Sequence, residues 1–435
     1  LRTNVTLTLQ DSTAFKQQLL GWAQQFREVV FLDSNGYSQQ YTSYDAMLAA
    51  DALTAIQTDY HNAFDDLKTY QQTTKDWLFG YMSYDLKNDT EVLKSSNFDG
   101  LQFPDLFFFQ PKKLFLLKGN QLEVRYLTMC DDELDTDIAA INSYKVANVT
   151  NDANQEQLII KARISKEDYL QKVSKMLQHI NRGDIYEANF CMEFYAEDAV
   201  INPLDIYSRL NAISSPPFAA WFKNNRQYLM CASPERYLRK EGDKIITQPI
   251  KGTARRSNDT DEDDAIKQEL AVNEKERSEN IMIVDLVRND LSRTAAKGSV
   301  AVEELCGAYT FKQVHHLIST VASRIGEGYT PVDVIKATFP MGSMTGAPKI
   351  SAMQIIEELE ETRRGLYSGT LGYFTPDGDF DFNVVIRSIL YNDHNKYVSF
   401  SVGSAITSLS DPEMEYEECL LKAKAMRSVL NANDL

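Results

Sequence analysis

Three apolar runs follow one another closely in the last third of the chain, at residues 369–374, 380–391 and 397–402, rich in aromatic and β-branched residues and separated by short polar stretches. Runs of this kind, bounded by Gly, Pro, Asn and Asp, read as successive strands and predict an antiparallel meander. Strands clustered in this way, without regular strand–helix alternation, argue for an α+β fold over a doubly wound parallel sheet.

The rest of the chain supports that class. Residues 1–130 combine β-rich runs at 29–32, 107–109 and 113–117 with a helical stretch near 46–67. A polar, acidic segment follows at 131–157, with an Asn-rich piece at 148–154, and its low apolar content reads as a linker. The expected organisation is an N-terminal region at 1–130, a linker at 131–160 and a denser region at 161–435. In the last region, Tyr169, Val173, Met176, Leu177 and Ile180 recur at helical spacing over residues 166–180. Strands are expected at 185–194 and 227–231, one long helix at 264–289, a shorter one at 350–361 and a final helix from Pro412 to about Leu430.

A chain of 435 residues with 43% hydrophobic content can bury a large core, as one large domain or as two to three smaller ones. Its 45 basic and 62 acidic residues leave a formal charge of −17, which argues against binding a nucleic-acid backbone or an anionic membrane surface. A small anionic substrate is still compatible, because local charge can oppose the global sign. The five cysteines are scattered without a Cys-x-x-Cys pair, as expected for buried thiols in a reducing compartment. With no run of 18 apolar residues and no charged-then-apolar leader, the expectation is a soluble cytoplasmic protein.

Several positions carry chemistry. Lys251 follows a strand-like stretch at 244–248 and precedes Gly252, while Pro249 pushes the residue before it toward an extended conformation. The lysine therefore sits at a strand-to-turn corner, where it is either a solvated cation or an amine aimed into a cavity. An amine so placed becomes a nucleophile when its pKa falls from about 10.4 toward the working pH. Glu235, in Ser233-Pro234-Glu235-Arg236, lies sixteen residues earlier, and a hairpin would return it to the lysine as an acid–base partner.

Two Glu-x-x-Glu pairs, Glu276 with Glu279 and Glu415 with Glu418, each put two carboxylates on one helix face. They are either solvated acidic faces near helix starts or, brought together, a hard-oxygen site suited to Mg²⁺. Lys422 stands at the stabilising spacing of four after Glu418. The segment Gly342-Ser343-Met344-Thr345-Gly346-Ala347-Pro348-Lys349 precedes a helix and suits a small carboxylate better than a phosphate, since it lacks the Gly-Lys-Ser/Thr of a P-loop. Arg387, a charge in an apolar run, is either an anion clamp or half of a structural ion pair. The adjacent His315 and His316 point to opposite sides, so they cannot both serve one site equally.

Read in order, the segments around Glu235, Lys251, Glu279 to Asp290, His315-His316, Gly342 to Lys349 and Glu415 to Glu418 resemble the chorismate-utilising enzymes. That family includes the component I subunits of anthranilate and aminodeoxychorismate synthases and the isochorismate and salicylate synthases. The similarity covers about residues 165–430, with a weaker echo at Phe79-Gly80-Tyr81-Met82-Ser83-Tyr84-Asp85. It implies two large antiparallel sheets packed face to face, with helices outside and the site between them. It also implies Glu279 and Glu418 as Mg²⁺ ligands supported by Glu276 and Glu415, and His316 as an active-site histidine. Gly342, Ser343, Thr345, Arg387, Gly403 and Lys422 are grouped with the substrate binders.

Lysine at position 251 resembles the aminodeoxychorismate synthases, whereas the anthranilate and isochorismate enzymes usually carry alanine there. The resemblance thus implies amination of chorismate to 4-amino-4-deoxychorismate for 4-aminobenzoate and folate synthesis, with Lys251 as covalent nucleophile and Glu235 as acid–base residue. The alternatives are anthranilate synthase component I and a non-catalytic chorismate-binding paralogue. No nucleophile-elbow cysteine followed by His-x-Glu is present, so ammonia is expected from solution or a separate glutamine amidotransferase subunit. This chain departs from the family pattern at Glu187, where glutamine or lysine is usual, and at Gly403-Ser404-Ala405, where the family has three glycines. Glu187 is a base candidate or a partner for Lys251. Phe31-Leu32-Asp33-Ser34 only loosely resembles the tryptophan-binding motif of the anthranilate enzymes.

Overall fold

The computed structural model describes residues 2–37, 40–146 and 158–430. Every strand ladder among them is antiparallel. One sheet runs Glu187–Ala196, Tyr397–Ile406, Ser388–Asn392, Gln227–Ser233, Phe218–Asn224, Glu28–Asp33, Ala46–Thr58 and Leu106–Lys118. The other leaves from the first half of Leu106–Lys118 and continues through Leu78–Met82, Thr370–Phe374, Phe380–Asn383, Arg236–Glu241, Lys244–Gln248, Val314–Arg324 and Ala301–Thr310. N-terminal strands thus pair directly with strands of the later region, Glu28–Asp33 with Phe218–Asn224 and Leu78–Met82 with Thr370–Phe374.

Alternation along the first sheet explains how the layers stack. Val30, Ala220, Phe222 and Leu229 join a core shared with Tyr81, Phe107, Phe374 and Phe382. Their neighbours Val29, Phe31, Trp221 and Met230 face the opposite way, toward Phe15, Ile141, Tyr169, Ile206, Ile356 and Met426 of the outer helices. Phe222 is packed by Tyr81 and Phe107 at ring-centroid distances of 5.1 and 5.7 Å, a direct contact between the sheets.

The meander expected at 369–402 is interrupted. Phe380–Asn383 pairs within the second sheet, whereas Ser388–Asn392 pairs within the first. Gln227–Ser233 and Arg236–Glu241 are divided between the sheets in the same way. Two neighbouring strands therefore change sheets side by side, one at Pro234-Glu235 and the other at residues 384–387. The Val384 N–H donates to the Glu235 carbonyl at 3.0 Å and ties the crossings together. Arg387 consequently lies between strands, with φ of 50°, and not inside one.

Three further expectations need correction. The helical stretch near 46–67 is a long strand, Ala46–Thr58, followed by a helix at Ala63–Thr74. Its alanine-rich sequence favours helix, but pairing with strands on both sides and burial of Ala46, Met47, Leu48, Ala49 and Ala50 override that preference. The proposed linker begins as a packed element: Leu134–Ser143 is helical and buries Leu134 and Ile141. Residues 147–157 of that linker, including the Asn-rich piece, lie outside the described residues. The single helix at 264–289 is two, Thr260–Val272 and Glu274–Ser292, separated by an extended Asn273 whose side chain caps the second helix by accepting from the Glu276 N–H.

Phe222 tests the packing between the sheets. Phe222→Ala is expected to destabilise the protein by about 3–5 kcal/mol in urea unfolding, from lost burial and the cavity left behind. A loss below about 1 kcal/mol would show that the contact between sheets is not a packed core.

Candidate active site

The two sheet crossings build the candidate site. Glu235 occupies the first crossing and is buried, 5% exposed, because the chain there passes between layers. Burial pushes its carboxyl up to about 7, against the pull of a hydrogen bond from Ser343 and the charge of Lys251. The hairpin Arg236–Glu241 to Lys244–Gln248 then returns the chain, and Lys251 arrives in the following strand, Ile250–Arg255. The expected strand-to-turn corner is a bulge. Ile250 pairs with Ile318 and Thr253 with His316, so Lys251 and Gly252 together face the single residue Leu317. Gly252 has φ of 93°, which favours glycine, and a Cβ there would also press on Leu317 at 3.1 Å and Glu276 Oε2 at 3.2 Å.

The bulge turns Lys251 inward, where Nζ donates to Glu187 Oε1 at 2.9 Å and the two side chains are 11% and 2% exposed. Burial lowers the lysine pKa, but Glu187, Glu279 and Glu235 outweigh it and hold the amine protonated above its usual range. Asn280 fixes the backbone behind it, donating to the carbonyls of Lys251 and Leu317 at 3.2 Å each. His316 is buried beside this strand, with Nδ1 3.0 Å from the Thr253 hydroxyl. Burial and the nearby Arg387 push its pKa down to about 3, leaving a neutral imidazole whose Nε2 has no partner. His315 points the other way, to Asp263 at 3.0 Å, in a structural pair.

Arg387 offers the clearest anion-binding signal. Among the described residues it has no ion-pair or hydrogen-bond partner for its guanidinium, and burial lowers its pKa. Of the two readings open from sequence, the structural ion pair is therefore removed. The loop holding Gly342, Ser343 and Thr345 is a buried 3-10 turn lining the same small cavity as Glu235. Ser343 faces Glu235, while the Thr345 hydroxyl is spent on the carbonyls of Met341 and Gly342 at 3.3 and 3.2 Å. Gly403 is dictated by crowding, since a Cβ would stand 2.6 Å from Cys191 Sγ and 2.8 Å from Asn189 Oδ1. Its carbonyl accepts from Lys422 Nζ at 2.8 Å.

The four glutamates are only partly assembled. Glu276 and Glu279 project from the start of Glu274–Ser292, and burial, with the Glu276 charge adding to it, pushes Glu279 up to about 7. Burial and the like charge of Glu418 also raise Glu276, so the two helices bring their carboxylates within electrostatic reach. Glu418 itself is lowered, because Lys422 at 2.7 Å outweighs its burial. Glu415 is buried, and its charge is felt at Tyr169 on the helix Lys166–Arg182. Among the described residues no three carboxylate, His or Cys side chains converge as a metal-binding group. The donor chemistry nevertheless fits a hard cation, since like-charged carboxylates on facing helices repel one another without one.

Two supporting contacts carry no signature readable by motif spacing. Lys349 is buried and donates to the carbonyls of Thr338 and Pro340 at 3.1 and 2.8 Å and to Asp290, anchoring the loop that carries Ser343. Arg364 donates to the carbonyls of Met344 and Asn189 at 2.6 and 2.7 Å and pairs with Glu360, joining that loop to the strand that begins at Glu187. The contacts of Lys349 with Asp290 and of Arg364 with Asn189 are not visible as spacing, because each joins distant segments.

Residues 27–428 match the chorismate binding enzyme family. The chain belongs to this family. It is 34% identical to aminodeoxychorismate synthase component 1 of Bacillus subtilis, covering 82% of this chain and 77% of that protein. Identity is also 34% to anthranilate synthase component 1 of Thermus thermophilus, over 80% of this chain and 76% of that protein. A probable chloroplastic aminodeoxychorismate synthase of Oryza sativa is 33% identical over 92% of this chain, which spans 46% of its length. The solved anthranilate synthase component I of Streptococcus pneumoniae has the same fold, with a TM-score of 0.79, 24% identity and coverage of 90% and 95% of the two chains. No helix among the described residues is long and apolar enough to cross a membrane.

The buried carboxyl of Glu235 sets a pH test. A folded-state pKa near 7 for Glu235, against 4.5 when free, means its contribution to stability is present at low pH and lost as pH rises from about 4.5 through 7. Glu235→Gln removes that loss. Its melting temperature relative to wild type is expected to rise between pH 5 and pH 8, by the equivalent of about 2–4 kcal/mol. A difference independent of pH would mean that Glu235 is not held protonated by burial.

Proposed function

We propose that this protein converts chorismate and ammonia to 4-amino-4-deoxychorismate, with Mg²⁺ as cofactor, as a step toward 4-aminobenzoate and folate. The observation that carries this reading is the amine of Lys251, turned into the site by a bulge and facing Glu235 across it. Lys251 adds to C2 of chorismate while the ring double bonds shift and the 4-hydroxyl leaves. A Glu235 carboxyl with pKa near 7 is protonated often enough at neutral pH to give that hydroxyl its proton. Ammonia then adds at C4 and expels the lysine. The unpaired Arg387 and the Gly342–Thr345 turn receive the substrate carboxylates, and the bare Nε2 of the neutral His316 accepts a hydrogen bond from the ligand.

Glu279 and Glu418 would hold Mg²⁺, with Glu276 and Glu415 in support. When bound, the cation offsets the charge of a dianionic substrate among four glutamates. Ammonia is supplied by a separate glutamine amidotransferase subunit. A second reading, anthranilate synthase component I, is favoured by the equal identity to the Thermus and Bacillus proteins.

Incubation with chorismate, ammonium and Mg²⁺ separates the readings. The expected product is 4-amino-4-deoxychorismate without pyruvate. Anthranilate with pyruvate would select the second reading, and no product at saturating ammonium would indicate a protein that holds chorismate without turning it over. Lys251→Ala is expected to reduce aminodeoxychorismate formation by about 10³-fold or more, and near-normal turnover in that variant would remove the covalent role. Glu279→Ala is expected to abolish turnover together with Mg²⁺-dependent chorismate binding in calorimetry.

A further inference from the structure

Glu187 opens the strand Glu187–Ala196, and its backbone is held on the side of the substrate loop. It pairs with Ala347, and the preceding Tyr186 N–H donates to the Ala347 carbonyl at 2.7 Å. The side chain is 2% exposed and reaches Lys251 Nζ with Oε1 at 2.9 Å. Its second oxygen, Oε2, is shielded from solvent and accepts no hydrogen bond. Buried carboxylate oxygens are normally satisfied, so a bare one beside a buried amine is an unused proton acceptor.

The other titratable groups within electrostatic reach of Lys251 are Glu235 at the sheet crossing, Glu276 and Glu279 on the helix Glu274–Ser292 and Glu418 on the last helix, while His316 meets the neighbouring Thr253 and Gly252 instead. Among the described residues Glu187 is the single carboxylate within 4.0 Å of the lysine nitrogen. Glu235 accepts from Ser343 instead, and Glu418 is engaged by Lys422.

We infer that Glu187 is the base that frees Lys251 for attack and the acid that receives it back. The inference rests on the covalent reading above and assigns the step that reading leaves open, since an ammonium cannot attack carbon. The pair begins as a salt bridge of ammonium and carboxylate. As the substrate settles, Glu187 takes one proton, leaving a neutral amine and a carboxylic acid. The amine nitrogen bonds to C2, the ring electron pairs shift, and the C4–O bond breaks as Glu235 gives its proton to the leaving hydroxyl, releasing water. Ammonia bonds to C4, the C2–N bond breaks with its electron pair returning to the lysine, and the new C4 ammonium restores the proton of Glu235. Glu187 then returns its proton to Lys251. The net change is chorismate and ammonia to aminodeoxychorismate and water, with both carboxyl groups restored.

Glu187→Gln keeps the side-chain shape and a hydrogen-bond acceptor for Lys251 but cannot take the proton. Two measurements test it on the full chain: adduct formation at Lys251 with chorismate and Mg²⁺ when ammonia is withheld, by intact mass, and the pH profile of turnover. In Glu187→Gln both adduct formation and kcat are expected to fall about 100-fold or more near pH 7, with KM for chorismate little changed. Both proteins share the ionisation of Glu235, so the wild-type rate is expected to fall above about pH 7 while the transfer inside the Glu187–Lys251 pair adds no slope of its own. The ratio of variant to wild-type rate is therefore expected to rise about tenfold per pH unit, as solvent strips the lysine instead. Glu187→Asp, which keeps a carboxylate, should restore the wild-type profile.

A purely electrostatic or structural Glu187 gives the opposite sign. Removing its charge would ease lysine deprotonation, so adduct formation would be unchanged or faster. Wild-type adduct with an equally fast Glu187→Gln adduct and an unaltered profile overturns the role of Glu187 alone. No adduct at Lys251 in the wild type overturns the covalent reading and this inference with it.

Discussion

The architecture turns on two antiparallel strands that change sheets side by side. Chains that pass from one layer to another must break their ladder hydrogen bonds, and the breaks at Pro234-Glu235 and at residues 384–387 satisfy each other through the Val384 to Glu235 backbone contact. Residues at such a corner belong to neither sheet, so their side chains are free to enter the space between layers. Glu235 and Arg387 occupy those two corners, and the bulge at Lys251 lies on the strand that follows the next hairpin of the second sheet. The site is therefore where the ladder is interrupted, and the regular pairing on either side makes the interruption rigid.

Placing charges there shapes their chemistry. Burial raises Glu235 and Glu279 toward neutrality at physiological pH, holds His316 neutral and leaves Arg387 without a protein partner. Lys251 goes the other way, because the carboxylates around it outweigh the penalty of burial. Unpaired positive charge thus stands at Arg387 and excess negative charge near the lysine.

Much of this is legible in the sequence, for reasons that differ by residue. The Lys251-Gly252 pair stood out because glycine at a positive φ is a local demand that leaves a local mark. Glu276 with Glu279, and Glu415 with Glu418, were found by helical spacing, but spacing says nothing of what each pair faces. Only the fold sets what Glu415 faces: it is buried, with its charge felt at Tyr169. Arg387 was noticed as a charge in an apolar run, yet only the break in that run explains why it is unpaired. The helix split at Asn273 and the strand at Ala46–Thr58 were missed, the first because one extended residue leaves the apolar spacing almost intact.

By itself the sequence determined the residue types that carry chemistry, the helix starts near Lys166, Lys349 and Pro412, and the antiparallel α+β character. These rest on interactions within a few residues: caps, glycine and proline backbone limits, and the periods of 2 and 3.6. Tertiary structure alone decided which strands share a sheet, that an alanine-rich segment becomes a strand, and that Glu187 meets Lys251 across 64 positions of chain. Helix propensities differ by a few tenths of a kcal/mol per residue, whereas burying a side chain between sheets is worth about 1.5–3 kcal/mol, so long-range packing overrides local preference wherever the two disagree.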